Sequence, residues 1–207
     1  MSAIRQLSLL IAMTGTALGA QATAPPARIC IAPPTAQMAT GSSTDAANAV
    51  RESFTSFLTG PSLAVTPLAA RLASQAREEA KQAGCPYVLF TALKHEHKQG
   101  SNLLGRMAGS AVEATAWELR GSAQSTAARV ATNAAATAAA TAARSVAGNV
   151  KSKDELTLDY RLETGDGTIV VKSAGKAKAE SDGQDLLTPL VERASEGVAA
   201  AVLKAPR

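Results

Sequence analysis

Residues 86–93, Pro-Tyr-Val-Leu-Phe-Thr-Ala-Leu, form a continuous apolar run near the middle of the chain. A strand that is apolar on both faces is typical of the centre of a sheet with helices on both sides. This run therefore predicts a central strand and an α/β fold. A polar stretch, Lys94-His-Glu-His-Lys98, follows it directly.

Before this strand, short apolar runs alternate with segments of helical length. Residues 28–33 and 62–67 predict two strands, each ended by proline. One helix is predicted from Ser42 to Gly60, and a second from Leu68 to Gly84. Because crossovers of helical length favour parallel pairing, we expect the three strands to be parallel.

After residue 150 the pattern predicts an antiparallel hairpin and a final helix. Residues 155–163 alternate strictly between apolar and polar side chains, and Asp166-Gly167 supplies a tight turn before a last strand ending near Lys178. We expect acids and lysines on the outer faces of these strands to pair, at roughly 0.2–1 kcal/mol for each pair. The last helix has an apolar stripe that can cover the sheet: Leu186, Leu190, Ala194, Val198 and Val202.

The predicted fold class is α/β, with the order β-α-β-α-β-β-β-α and a five-stranded mixed sheet. The Ala-Pro-Pro after the first strand, the Gln-Ala-Gly-Cys-Pro-Tyr-Val-Leu of residues 82–89 and the Asp166-Gly167 hairpin resemble periplasmic α/β domains of the CsgG and TolB N-terminal type. The resemblance covers residues 28–98 and 154–203 in element order. It implies a non-catalytic binding or assembly domain that faces the envelope.

The first 22 residues have the parts of a secretory signal peptide: Arg5, an apolar run of roughly ten residues and an Ala-x-Ala site that ends at Ala22. The alternative is a buried N-terminal helix, which Gly15 and Gly19 disfavour because glycine is a poor helix former. We therefore expect cleavage near Ala22. The mature chain, residues 23–207, would be a single domain that is periplasmic or secreted.

The composition favours no nucleic-acid partner. The formal charge is +4 for the full chain, and +3 once Arg5 is removed, without a block of basic residues. Two cysteines, Cys30 and Cys85, lie near the starts of strands that we expect to be parallel neighbours. An oxidising compartment would permit a disulfide between them, and two buried free thiols are the alternative.

Residues 101–150 predict an alanine-rich helical insert between the third and fourth strands. Its larger apolar residues need a surface to cover them, and they are the expected contact residues: Leu103, Leu104, Met107 and Trp117. Three interpretations stay open. The insert is a helical hairpin packed on its own domain or on a second copy, it touches a membrane surface through residues 103–148, or it is disordered. We predict that residues 103–148 form two helices that project from the sheet, so that deleting residues 101–150 leaves a folded domain.

The two histidines, His95 and His97, would lie on one face of a strand and could offer two imidazoles to one metal ion. Zinc normally takes three or four protein ligands, so the favoured interpretation is a solvated strand end. No nucleophile elbow or phosphate loop is present, and no cofactor is implied. We therefore predict a non-enzymatic envelope assembly or adaptor protein that acts by protein–protein contact, with envelope proteins or a second copy as partner. The alternative is a periplasmic metal-binding carrier or enzyme that uses His95 and His97.

Overall fold

The computed structural model describes residues 25–97 and 141–204. The predicted signal peptide lies outside these ranges, and so do the predicted contact residues of the insert, Leu103, Leu104, Met107 and Trp117. None of the helices in the described ranges is long and apolar enough to cross a membrane.

The elements follow the predicted α/β order. The strands are β1 (Ala27–Ile31), β2 (Thr35–Gln37), β3 (Leu63–Pro67), β4 (Tyr87–Glu96), β5 (Glu155–Thr164) and β6 (Ile169–Lys178). The helices are α1 (Ser43–Leu58), α2 (Ala73–Gln82), α3 (residues 141–147) and α4 (Leu187–Lys204).

The strands form one mixed sheet in the order β3-β1-β4-β5-β6. β1 pairs in parallel with both β3 and β4, whereas β4, β5 and β6 pair antiparallel. The predicted mixed sheet and the parallel arrangement of the first three long strands are therefore confirmed.

The short strand β2 is an addition to the predicted pattern. It continues the line of β1 along β4, where Thr35 pairs with Ala92. Pro33 and Pro34 interrupt the line because proline has no backbone N–H to donate, and pairing resumes after them. The proline pair therefore marks a gap in the parallel pairing along β4 rather than its end.

The helix α2 begins at Ala73, five residues later than the sequence predicts. The carboxylate of Glu79 accepts hydrogen bonds from the backbone N–H groups of Ala69 and Ala70, at 3.0 and 2.8 Å. These bonds hold the chain before α2 in a loop, and they lower the pKa of Glu79. A side chain within the helix thus decides where the helix starts.

The main core lies between one face of the sheet and the helices α1, α3 and α4. Its largest fully buried side chain is Phe54 of α1, which packs among the leucines of β4 and β5 and the apolar stripe of α4. The end of the predicted insert also belongs to this core. Val146 is 2 % exposed and Val150 is 1 % exposed, and both lie in the main cluster with Ala142. Residues 141–150 are therefore part of the domain and do not project from it.

The other face of the sheet is covered in part by α2. A smaller cluster there joins Ala76 and Ala80 of α2 to Val88 of β4. The disulfide between Cys30 and Cys85 lies in this cluster, with its two Cα atoms 5.7 Å apart. The predicted bond is confirmed, and it ties β1 to the start of β4.

The charges on the outer face of the hairpin pair only partly as predicted. Glu155 lies 3.6 Å from Lys176, as expected of an acid and a lysine on neighbouring strands. Glu163 instead pairs with two arginines: Arg77 of α2 at 2.9 Å, and Arg161 of its own strand at 2.8 Å. Because Glu163 is buried, two cations are better placed than one to offset the loss of its hydration.

Candidate functional site

The candidate site is at the end of the sheet where the chain leaves β4 and re-enters β5. We call this place the neck and define it as residues 95–97 and 149–154. The antiparallel register pairs His95 with Leu156 and Glu96 with Glu155. The end of β4 and the start of β5, between which the insert lies in the sequence, are therefore held side by side at one end of the sheet.

A buried carboxylate joins the two halves of the neck. Asp154 accepts a hydrogen bond from Nε2 of His95 at 2.7 Å and another from the backbone N–H of Lys151 at 2.8 Å. Its second oxygen, Oδ1, is hydrogen-bonded to Nδ1 of His97. The side chains of Asp154 and His95 are almost fully buried, whereas that of His97 is 38 % exposed.

The environment keeps Asp154 ionised. Burial by itself raises the pKa of this carboxyl, but the hydrogen bonds from Lys151, His95 and His97 together outweigh it, so that the pKa lies below its ordinary value of 3.8. An ionised carboxylate can only accept hydrogen bonds. The protons are therefore on Nε2 of His95 and on Nδ1 of His97, and both imidazoles serve as donors.

Residues around this cluster make further hydrogen bonds and packing contacts with the neck. The hydroxyl of Thr40 donates to the backbone carbonyl of Asn149 at 2.9 Å, and the backbone N–H of Gly183 donates to that of Val150 at 3.0 Å. The side chain of Asn149 lies directly over Gly41, which has a φ of +85°. Two loops, one at residues 40–41 and one at Gly183, are thus bonded to or packed against the returning end of the insert.

The structure corrects the prediction of a solvated strand end. His95 is buried because β4 stays paired with β5 as far as Glu96 and because Asp154 closes over the strand end. The expectation that His95 and His97 share one face is met, since both reach the same carboxylate. The sequence reasoning missed Asp154 altogether. Its only local signal was an acidic residue placed directly before a strong strand pattern.

The arrangement is suited to holding together the two segments of chain on either side of the insert. In residues 25–97 and 141–204, no group of three or more His, Cys, Asp or Glu side chains is arranged so that it could hold a metal ion. The imidazole nitrogens that face the cluster are engaged with Asp154. The expected contact residues of the insert lie outside the described residues, and the disulfide lies beneath α2, away from the neck.

We expect Asp154→Asn to destabilise the protein by about 1–3 kcal/mol at neutral pH, because an amide cannot accept from all three donors at once. Since the pKa of Asp154 is lowered by folding, its contribution to stability is present above the ordinary value of 3.8 and is lost as the pH falls through the lower, folded-state value. Urea unfolding as a function of pH measures both effects. The exposed Asp159→Asn is the matched control. Equal stability of the two variants at pH 7 would contradict the assignment.

We expect Gly41→Ala to cost about 1–3 kcal/mol, because alanine is strained at positive φ. The added Cβ would also lie 2.6 Å from Cγ of Asn149. Thermal unfolding measures the cost, and Gly60→Ala is the control because nothing lies within 4 Å of that position. In an Asn149→Ala background the cost should shrink but not vanish. A neutral Gly41→Ala would show that the loop does not pack on the neck.

The fold and this site together define a class: a disulfide-bonded α/β domain whose sheet end clamps an inserted segment. No protein-family model matches the chain, and no curated protein does. Among solved structures, the chain is similar to a PelC dodecamer from Paraburkholderia phytofirmans, a point variant, at 14 % identity over 87 % of this chain and 94 % of that chain, with a TM-score of 0.45. A second crystal form of the PelC dodecamer gives 13 % identity over 83 % and 90 %, with a TM-score of 0.43.

Proposed function

We propose that this protein is an exported, non-catalytic adaptor or assembly component of the cell envelope, and that it acts by protein–protein contact. Its partner is another envelope protein or a second copy of the chain. The observation that carries the proposal is the neck, in which the buried carboxylate of Asp154, hydrogen-bonded to His95 and His97, fixes both ends of the insert to the sheet. A clamp of this kind suits a domain that presents a segment to a partner in a defined position.

The disulfide supports the location outside the cytoplasm. Such bonds form and persist in oxidising compartments and are rare in reducing ones. Both sulfurs are in the buried cluster beneath α2, where the bond has a structural role. Together with the export signal predicted in residues 1–22, it favours a periplasmic or secreted protein.

The contact residues we propose remain those that the sequence indicates: Leu103, Leu104, Met107 and Trp117. Contact with a membrane surface through residues 103–148 is the alternative proposal for the same segment. Within residues 141–148 the exposed side, which includes Arg144 and Ser145, is the part open to such contact, because Val146 and the neighbouring alanines are buried. The resemblance to CsgG and TolB N-terminal domains also remains a prediction, and it points to the same kind of function.

The test is in-cell crosslinking followed by a pull-down of the mature chain. The same experiment is done with a variant in which a flexible linker replaces residues 98–140. The full chain should capture a defined envelope protein or itself, and the shortened chain should lose that capture. A point variant, Trp117→Ala, should reduce capture while leaving the fold unchanged. Capture that is the same for all three would contradict the role of the insert.

We expect the exported protein to begin at Thr23, because cleavage near Ala22 removes the signal peptide. Intact mass spectrometry of protein from the periplasmic or secreted fraction measures this. Replacing Ala20 and Ala22 with a bulky residue should block processing and leave the precursor. Periplasmic material that still begins at Met1 would refute the prediction.

A further inference from the structure

The strand β6 forms one edge of the sheet. It pairs with β5, and within the described ranges no strand pairs with its other side. After one irregularity near Glu163, the pairing is regular from Val171 to Lys178, which corresponds to about 27 Å of strand. An open antiparallel edge offers backbone N–H and C=O groups to an added strand.

The outer side chains of β6 are basic. Lys172, Lys176 and Lys178 alternate along this face and are exposed, and the strand contains no acidic residue. Lys176 and Lys178 have Glu155 of β5 as a neighbour, whereas the register sets Lys172 opposite Arg161, so that this end of the strand has only a cation beside it. Pairing of β6 with β6 of a second copy would bring lysines together on one face, which is unfavourable. The same lysines favour a strand that carries acids.

The inner side of β6 has small, half-buried residues at Ser173, Gly175 and Ala177. The helix α4 lies close above them, since a Cβ at Gly175 would be 3.0 Å from Cδ2 of Leu190. The inner side chains of an added strand would lie beside α4 and extend the main core. Apolar residues suit that position. At the hairpin end Ile169 and Val170 are exposed, which adds apolar surface to the same edge.

We propose that β6 binds an extended segment of a partner protein, whose residues alternate between acidic and apolar, as an added strand of the sheet. The acids would lie against the three lysines and the apolar residues beside α4. The backbone pairs would supply affinity and the alternation would supply specificity. This inference rests on the proposed function, because it names the chemistry of one protein partner.

The probe is a fluorescein-labelled peptide of four Glu-Val repeats, and the measurement is fluorescence anisotropy with the mature chain. We expect binding that weakens as salt is raised, and about tenfold weaker binding to Lys172→Glu/Lys176→Glu because the charge complementarity is reversed. The control, Arg71→Glu/Lys204→Glu, makes the same change of charge away from β6 and should bind as the unaltered protein does. A Lys-Val peptide should not bind.

A second peptide separates strand addition from charge attraction alone. In it alternate backbone amides are N-methylated, so that one edge cannot hydrogen-bond while the charges are kept. Loss of binding supports the proposal, and equal binding overturns it. If the mature chain captures an envelope partner in cells but ignores the Glu-Val peptide, the β6 proposal fails and the proposed function stands. If neither the partner nor the peptide is bound, both fail.

Discussion

Deleting residues 101–150 should remove a large part of the stability of the domain. The deletion removes Val146 and Val150, two fully buried side chains of the main core, together with the buried alanines of α3. At about 1.5–3 kcal/mol for each valine, the loss is roughly 3–6 kcal/mol, in a domain whose total stability is of the order of 5–15 kcal/mol. It also removes Asn149 and its bond to Thr40. Circular dichroism and cooperative thermal unfolding measure the result.

The matched control keeps α3. Replacing residues 98–140 with about twelve Gly/Ser residues gives a chain with a reach of about 20 Å and leaves Val146, Val150 and the neck in place. This variant should unfold cooperatively, near the temperature of the full chain. The sequence alone set the removable segment at 101–150, and the burial of Ala142, Val146 and Val150 moves its limit to residue 141. If the longer deletion unfolded at the same temperature as this control, α3 would contribute nothing to the core.

Removing the disulfide should cost about 4 kcal/mol. The bond joins residues 55 positions apart, and closing a loop of that size restricts the unfolded chain by about this amount in the chain-entropy account. The change is Cys30→Ala/Cys85→Ala, which keeps both positions apolar in the cluster beneath α2. Equilibrium unfolding in urea measures the free energy of unfolding.

The reductant provides the control for this comparison. Dithiothreitol should lower the stability of the unaltered protein to that of the double variant and leave the double variant unchanged. A maleimide added to the denatured, unreduced protein should find no thiol. Two reactive thiols in that experiment would mean that the cysteines are free, and the expected loss of stability would not follow.

The sequence by itself determined the α/β class and most of the sheet, and it made a disulfide possible. The apolar run at 86–93 and the alternation at 155–163 report directly which faces of a strand are buried, because the side-chain period of a strand is two. Cys30 and Cys85 could be paired because helical crossovers make β1 and β4 parallel neighbours. These conclusions depend on local patterns and on general rules of connection.

The neck was decided only by the tertiary structure. Asp154 is 59 residues from His95 and 57 from His97, with the whole insert between them. The ion pair between Arg77 and Glu163 could not be predicted for the same reason, since its two residues are 86 positions apart. No local period connects such residues, and a buried polar group is satisfied by whatever partners the packing brings to it. The sequence therefore placed both histidines on one face of a strand, and only the meeting of β4 with the start of β5 decided that His95 would be buried and that both would donate to one carboxylate.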